Sequence, residues 1–133
     1  MKEHAFRLKK GDDLKGKIEE YVKEKCIKAG VVLCAVGSLS EAVIRCADGK
    51  TAIKKTEPLE IVSFGGTVSN NGCHLHISVA DSNLSVFGGH LKEGCIINTT
   101  SEVVLQELEN FKFDRVFDSF TGYDELVVIN NKD

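Results

Sequence analysis

At 133 residues, with 42% of them hydrophobic and a formal net charge of −3, the chain has the size and apolar content of one domain with one core, and its charge balance argues against the basic stripe that phosphate-dominated nucleic-acid binding requires. No apolar run approaches the ~20 residues that span a bilayer, so no membrane association is expected, and no apolar signal segment follows Met1-Lys2-Glu3-His4, which predicts a cytoplasmic protein. The five cysteines (Cys26, Cys34, Cys46, Cys73 and Cys95) are odd in number and include no Cys-x-x-Cys pair, which argues for reduced thiols rather than disulfides or a thiolate zinc site.

In chain order, residues 4–9 alternate in polarity and predict a short first strand, with His4 exposed near the terminus. Gly11-Asp12 breaks it, and Asp12 is placed to cap a helix. Leu14, Ile18, Tyr21, Val22 and Cys26 share one helical face, which predicts about four amphipathic turns closed by Gly30. The apolar, β-branched run at 31–36 reads as a buried strand, Gly37-Ser38-Leu39-Ser40 as an interruption, and 42–46 as a further strand. Asp48-Gly49 marks a tight turn into a return arm at 51–54. After the single proline, Pro58, residues 59–64 read as a strand ending in Gly65-Gly66, and Asn70-Asn71-Gly72 is another turn. Residues 102–108 suit either a helix or a strand, and a strand is chosen. Phe111-Lys112-Phe113 alternates, and 123–129 is a last strand. The pattern predicts an α+β fold, mostly antiparallel β-sheet with one main amphipathic helix, as a single domain over residues 1–133.

The stretch from Gly72 to Leu91 reads as one hairpin, with Asp81-Ser82-Asn83 supplying turn chemistry, and it holds three of the four histidines. Side chains alternate along a strand, so His74 and His76 share a face, a compact bidentate spacing for a metal, and His90 on the returning arm is the obvious third ligand. Three imidazoles favour zinc or another divalent transition metal and leave a position open for water or a small-molecule ligand. The competing reading is three polar residues satisfying backbone groups in a crowded hairpin or interface. Register decides whether His90 joins the other two. A four-residue loop over 81–84 would turn it away from them, whereas a three-residue loop over 82–84 sets it opposite His76. A β-bulge at Gly88-Gly89 would rescue the first register.

The run Gly66-Thr67-Val68-Ser69, the segment from His74 to Asp81, then Gly88-Gly89-His90-Leu91 and Ser101-Glu102-Val103-Val104-Leu105 resemble the plant-and-prokaryote-conserved (PPC) domain family, at family spacing over nearly the whole chain. The resemblance implies a PPC-like fold, a homotrimer, and family histidines at His74, His76 and His90. It makes Asp81 and Glu102 candidates for orienting an imidazole, with turn chemistry favoured for Asp81. Plant members follow AT-hooks in DNA-binding proteins, and stand-alone prokaryotic members often carry a DNA-binding label. Here there is no Arg-Gly-Arg core, the lysines are interleaved with acids, there is no tryptophan, and a trimer would triple the negative charge, all of which argue against direct DNA binding. Gly65-Gly66 and Gly88-Gly89 match no phosphate loop and suit bulges or close backbone approach. No general base or activated nucleophile completes a catalytic set, so catalytic residues stay unknown. The reading is a homotrimeric PPC-type protein with a His₃ metal site and no assigned activity; the alternative is a DNA-associated regulator.

Overall fold

The computed structural model describes residues 2–131 as a six-stranded antiparallel sheet, one helix and a separate two-stranded hairpin. The elements are β1 (Lys2–Lys9), α1 (Leu14–Glu24), β2 (Gly30–Arg45), β3 (Ala52–Ser69), β4 (Gly72–Ala80), β5 (Val86–Leu91), β6 (Ile96–Glu107), β7 (Phe111–Asp118) and β8 (Tyr123–Asn130). The sheet order is β1-β6-β2-β3-β4-β5, and β5 also pairs with the far end of β2, so β2 to β5 close into a ring. The α+β class with one helix is as the sequence indicates, and 102–107 is strand, the end of β6, with Leu108 just beyond it.

The helix forms because Asp13 caps it, its carboxylate accepting from Gly16 N at 2.8 Å and from Gly94 N at 2.7 Å. The expected cap, Asp12, instead closes the turn after β1 by accepting from Lys9 N at 2.9 Å. Leu14, Ile18 and Val22 are fully buried and pack against the inner sheet face, where Leu39, Leu59, Leu75, Leu91, Ile97 and Leu105 meet them. The helix is shorter than expected: it ends at Glu24, and Cys26 takes the left-handed conformation (φ 51°) that the sequence reading assigned to glycine. Gly30 opens β2, where a Cβ would meet Val68 Cγ2 at 2.9 Å. His4 is largely buried rather than exposed, its Nδ1 2.9 Å from the Tyr21 hydroxyl.

Two strands that the sequence pattern splits are continuous. Residues 37–40 bend β2 without ending it, and β3 runs on through Pro58. The proline is tolerated because the β2–β3 register shifts between Leu39/Leu59 and Glu41/Thr56, leaving Glu57 and Pro58 to share the place opposite Ser40. A missing N–H matters little at such a bulge.

β7 and β8 pair only with each other in a separate sheet. They are tied to the body through Phe113, which is buried, through Phe113 N donating to Lys28 O at 2.9 Å, and through Asn71 Nδ2 donating to Phe113 O at 3.0 Å. Among the described residues, no helix is long and apolar enough to cross a membrane.

Candidate metal centre

The β4–β5 hairpin takes the three-residue loop. Asp81 N donates to Ser85 O at 2.9 Å, and the ladder runs from Ala80↔Val86 to His76↔His90 without a shift. Leu84 accommodates this by adopting φ 65° at the last loop position. No bulge is needed at Gly88-Gly89. Those glycines serve close approach instead: a Cβ on Gly88 would stand 2.3 Å from Ile77 O, and one on Gly89 2.6 Å from Arg45 O. Gly66 does the same against His74 O, at 2.0 Å, whereas Gly65 faces open space.

Register then dictates the site. Directly paired residues share a face, so Arg45 of β2, His90 of β5, His76 of β4 and Gly65 of β3 form one row across the ring. His74 lies two residues from His76 on the same face, opposite Thr67. Their neighbours Leu75, Ile77 and Leu91 point inward and are buried. The row therefore lies on the outer side of the ring. Ring centroids are 5.0 Å (His74–His76), 5.3 Å (His74–His90) and 5.6 Å (His76–His90) apart, and one nitrogen of each lies within 4.8 Å of the others. Nitrogens on a tetrahedral zinc at ~2.05 Å stand about 3.3 Å apart, so small side-chain rotations close the set.

The electrostatics favour the ligating form. Burial, then the neighbouring Arg45 and histidine charges, push the His90 imidazole down to about 4. Burial, followed by His76 and Arg115, lowers His74. Both rings are then neutral at pH 7, with lone pairs free for a metal. His90 Nδ1 is buried with no hydrogen-bond partner among the described residues, a position that a metal or a bound molecule would satisfy.

Two clefts flank the triad. One of about 520 Å³ opens over Gly65, Thr67, His76 and Ser78. The other, about 510 Å³, lies between the triad and the hairpin and is lined by Arg45, His74, His90, Arg115, Tyr123 and Glu125 among others. Arg115 Nη2 donates to Thr67 Oγ1 at 3.1 Å, and the Arg45 guanidinium lies 5.6 Å from the Tyr123 ring centroid.

Asp81 and Glu102, the acids singled out in the sequence, are not brought to the imidazoles. Asp81 Oδ1 accepts from Asn83 N at 2.9 Å and Ser85 N at 3.0 Å, the turn chemistry favoured for it. Glu102 sits on β6 opposite Arg7 and Val36, three strands across the sheet from β4, roughly 14 Å by strand spacing. The charged residues that do reach the cleft, Arg45, Arg115, Asp124 and Glu125, were not singled out. The one sequence signal was a lone arginine ending the apolar run Ala42-Val43-Ile44-Arg45. Cys73 faces away from the triad and packs on the core, and burial raises its thiol, making it a poor nucleophile.

Comparison with known proteins recovers the family and the fold of this chain. The chain belongs to the Plants and Prokaryotes Conserved (PCC) domain family, whose model matches residues 1–109; this is the PPC family of the sequence resemblance. It is 42% identical over 126 residues to a protein named bifunctional protein GlmU from Synechococcus sp. (strain JA-3-3Ab), covering 95% of this chain and 20% of that protein. The chain thus spans about a fifth of the length of the curated relatives it matches. Among solved structures, a hypothetical protein from Salmonella cholerae-suis superposes with a TM-score of 0.93 at 31% identity, over 98% of this chain and 94% of that one. A protein from Archaeoglobus fulgidus described as metal-containing superposes at 0.78 with 34% identity, over 96% and 94%.

Proposed function

We propose that this chain is a homotrimeric metal-binding protein that holds zinc or another divalent transition metal through His74, His76 and His90. The observation that carries the reading is the convergence of three imidazole nitrogens within 4.8 Å on one face of a rigid, glycine-packed hairpin. The metal-containing Archaeoglobus relative supports it. The residues fit the ion: three imidazoles suit a borderline metal and leave coordination positions open. A metal bound there would act as a Lewis acid toward whatever occupies the open position. The chain's own residues orient the rings, with the sheet register fixing which face each takes.

Trimerisation is supported by the apolar surface left uncovered. Leu33, Val36 and Val62 are each about half exposed on the outer face of β2 and β3, and the hairpin exposes Val116, Phe117 and Phe120. Patches of this kind mark association surfaces. Light scattering should give about three times the 14.6 kDa chain mass, and a monomer persisting at micromolar concentration overturns the trimer.

Elemental analysis of protein purified without an affinity tag or added metal should find one transition metal per chain. His90→Ala should remove it while leaving the oligomer folded. Metal-free wild type that takes up no stoichiometric zinc, cobalt or nickel on titration would refute the site. The formal charge of −3 keeps DNA binding weak, so titration near physiological salt should give no dissociation constant near the ~10⁻⁸ M of specific sites.

A further inference from the structure

We propose that the cleft between the triad and the β7–β8 hairpin binds a small oxyanion, a carboxylate or phosphate group, bridging the triad's metal and the guanidiniums of Arg45 and Arg115. This rests on the metal reading and adds a ligand class to it. The two arginines reach the cleft from elements distant in sequence: Arg45 through the β2–β5 pairing that sets it beside His90, and Arg115 from β7. Among the described residues, neither guanidinium has a carboxylate in ion-pair contact, although the acids Asp124 and Glu125 line the same cleft.

Among the described residues, Arg45 Nε is buried with no hydrogen-bond partner, and so is Nδ1 of the adjacent His90. A buried donor left unpaired is costly, and here it belongs to a permanent cation. Packing on Tyr123 accounts for the position of the Arg45 side chain but gives Nε no acceptor. A planar or tetrahedral oxyanion supplies one: guanidinium donors are spaced to meet two oxygens of a phosphate, which would leave a third for a metal's open position, whereas a carboxylate would offer one oxygen to the guanidinium and the other to the metal. Arg115 is already held by Thr67 at 3.1 Å, which leaves its remaining donors available toward the cleft. The volume of about 510 Å³ suits a small molecule, and Asp124 and Glu125 on the hairpin side repel a polyanion such as a nucleic-acid backbone.

The test is isothermal titration of the full, untagged, metal-loaded protein with inorganic phosphate and, separately, with succinate. Metal content is measured on each sample. At least one probe should bind at one site per chain, and the probe that binds identifies the anion. Arg45→Gln and Arg115→Gln should each weaken binding roughly tenfold or more, with metal content and circular dichroism unchanged. Arg115 lies on the exposed hairpin, so its variant serves if Arg45→Gln misfolds. Stripping the metal with a chelator should weaken binding by a similar factor. Metal-loaded wild type that binds neither probe at millimolar concentration overturns the oxyanion site and leaves the metal site standing. So does affinity that is unchanged in both arginine variants or after chelation. Wild type that takes up no metal overturns both readings.

Discussion

The closed ring and the β7–β8 hairpin use the same building material differently. In β4 every second residue is buried (Leu75, Ile77, Val79) while His74 and His76 face out, so the ring has a dry side and a chemical side. In the hairpin both faces carry exposed apolar residues: Val116, Val127 and Ile129 on one, Phe117, Leu126 and Val128 on the other. An isolated two-stranded ribbon is marginal in water, and this one rests on the body mainly through Phe113. The contrast separates two tasks. The ring fixes the placement of the imidazoles, and the hairpin brings Arg115 and Glu125 to the cleft beside them while keeping apolar surface exposed.

The largest expected effect breaks the ring. Leu91 is fully buried next to His90, and Leu91→Ala should cost about 2–5 kcal/mol in urea unfolding. Val128→Ala on the hairpin should cost under about 0.5 kcal/mol at concentrations where subunits dissociate, and should lower the association constant instead. Equal costs would erase the distinction between the two regions.

A matched pair of glycines sharpens it. Gly66→Ala drives a methyl into His74 O at a φ of 147°, and should cost more than ~1 kcal/mol and loosen metal binding. Gly65→Ala, into open space with no positive φ, should stay within ~0.5 kcal/mol. Thermal melts with and without zinc would measure both.

At the hairpin tip, Leu84 is 84% exposed and left-handed, so Leu84→Gly should stabilise the fold by roughly 0.5–1 kcal/mol. Destabilisation would mean that Leu84 is covered in the assembly.

The smallest expected effect is a pH dependence. In metal-stripped protein His90 is depressed to about 4 and His74 is also lowered from 6.5, so between pH 6.5 and 4 the unfolded chain binds more protons than the folded one. Stability must then fall as pH drops through that window. His90→Gln should flatten the fall, and solvent screening at these partly exposed rings keeps the effect modest. Parallel curves for wild type and variant would show that His90 is not the group responsible.

What the sequence made legible follows from interaction range. The polarity pattern from Gly72 to Leu91 and the turn residues at 81–83 are local, so the hairpin, its register alternatives and the three histidines could be read directly. Arg45 could not be joined to His90 because the pairing that closes the ring links residues forty-five apart in sequence, and no local periodicity encodes it. Arg115 and Glu125 were missed for the same reason. The splits placed in β2 and β3 arose because glycine and proline normally end strands, and here bulges absorb them. Cys26 takes the left-handed helix end, and Gly30, expected there, instead opens β2 in close packing against Val68.

The three-residue tip of the β4–β5 hairpin therefore sets a parity for this sequence. A slip of the ladder by one residue, pairing Ala80 with Ser85, would turn His90 into the dry interior and bring Gly89 and Leu91 to the outer row. Burial of Leu75, Ile77 and Leu91 opposes that slip, because the same shift would expose Leu91. A residue added at the tip is then expected to lengthen the loop and leave the row of histidines in place.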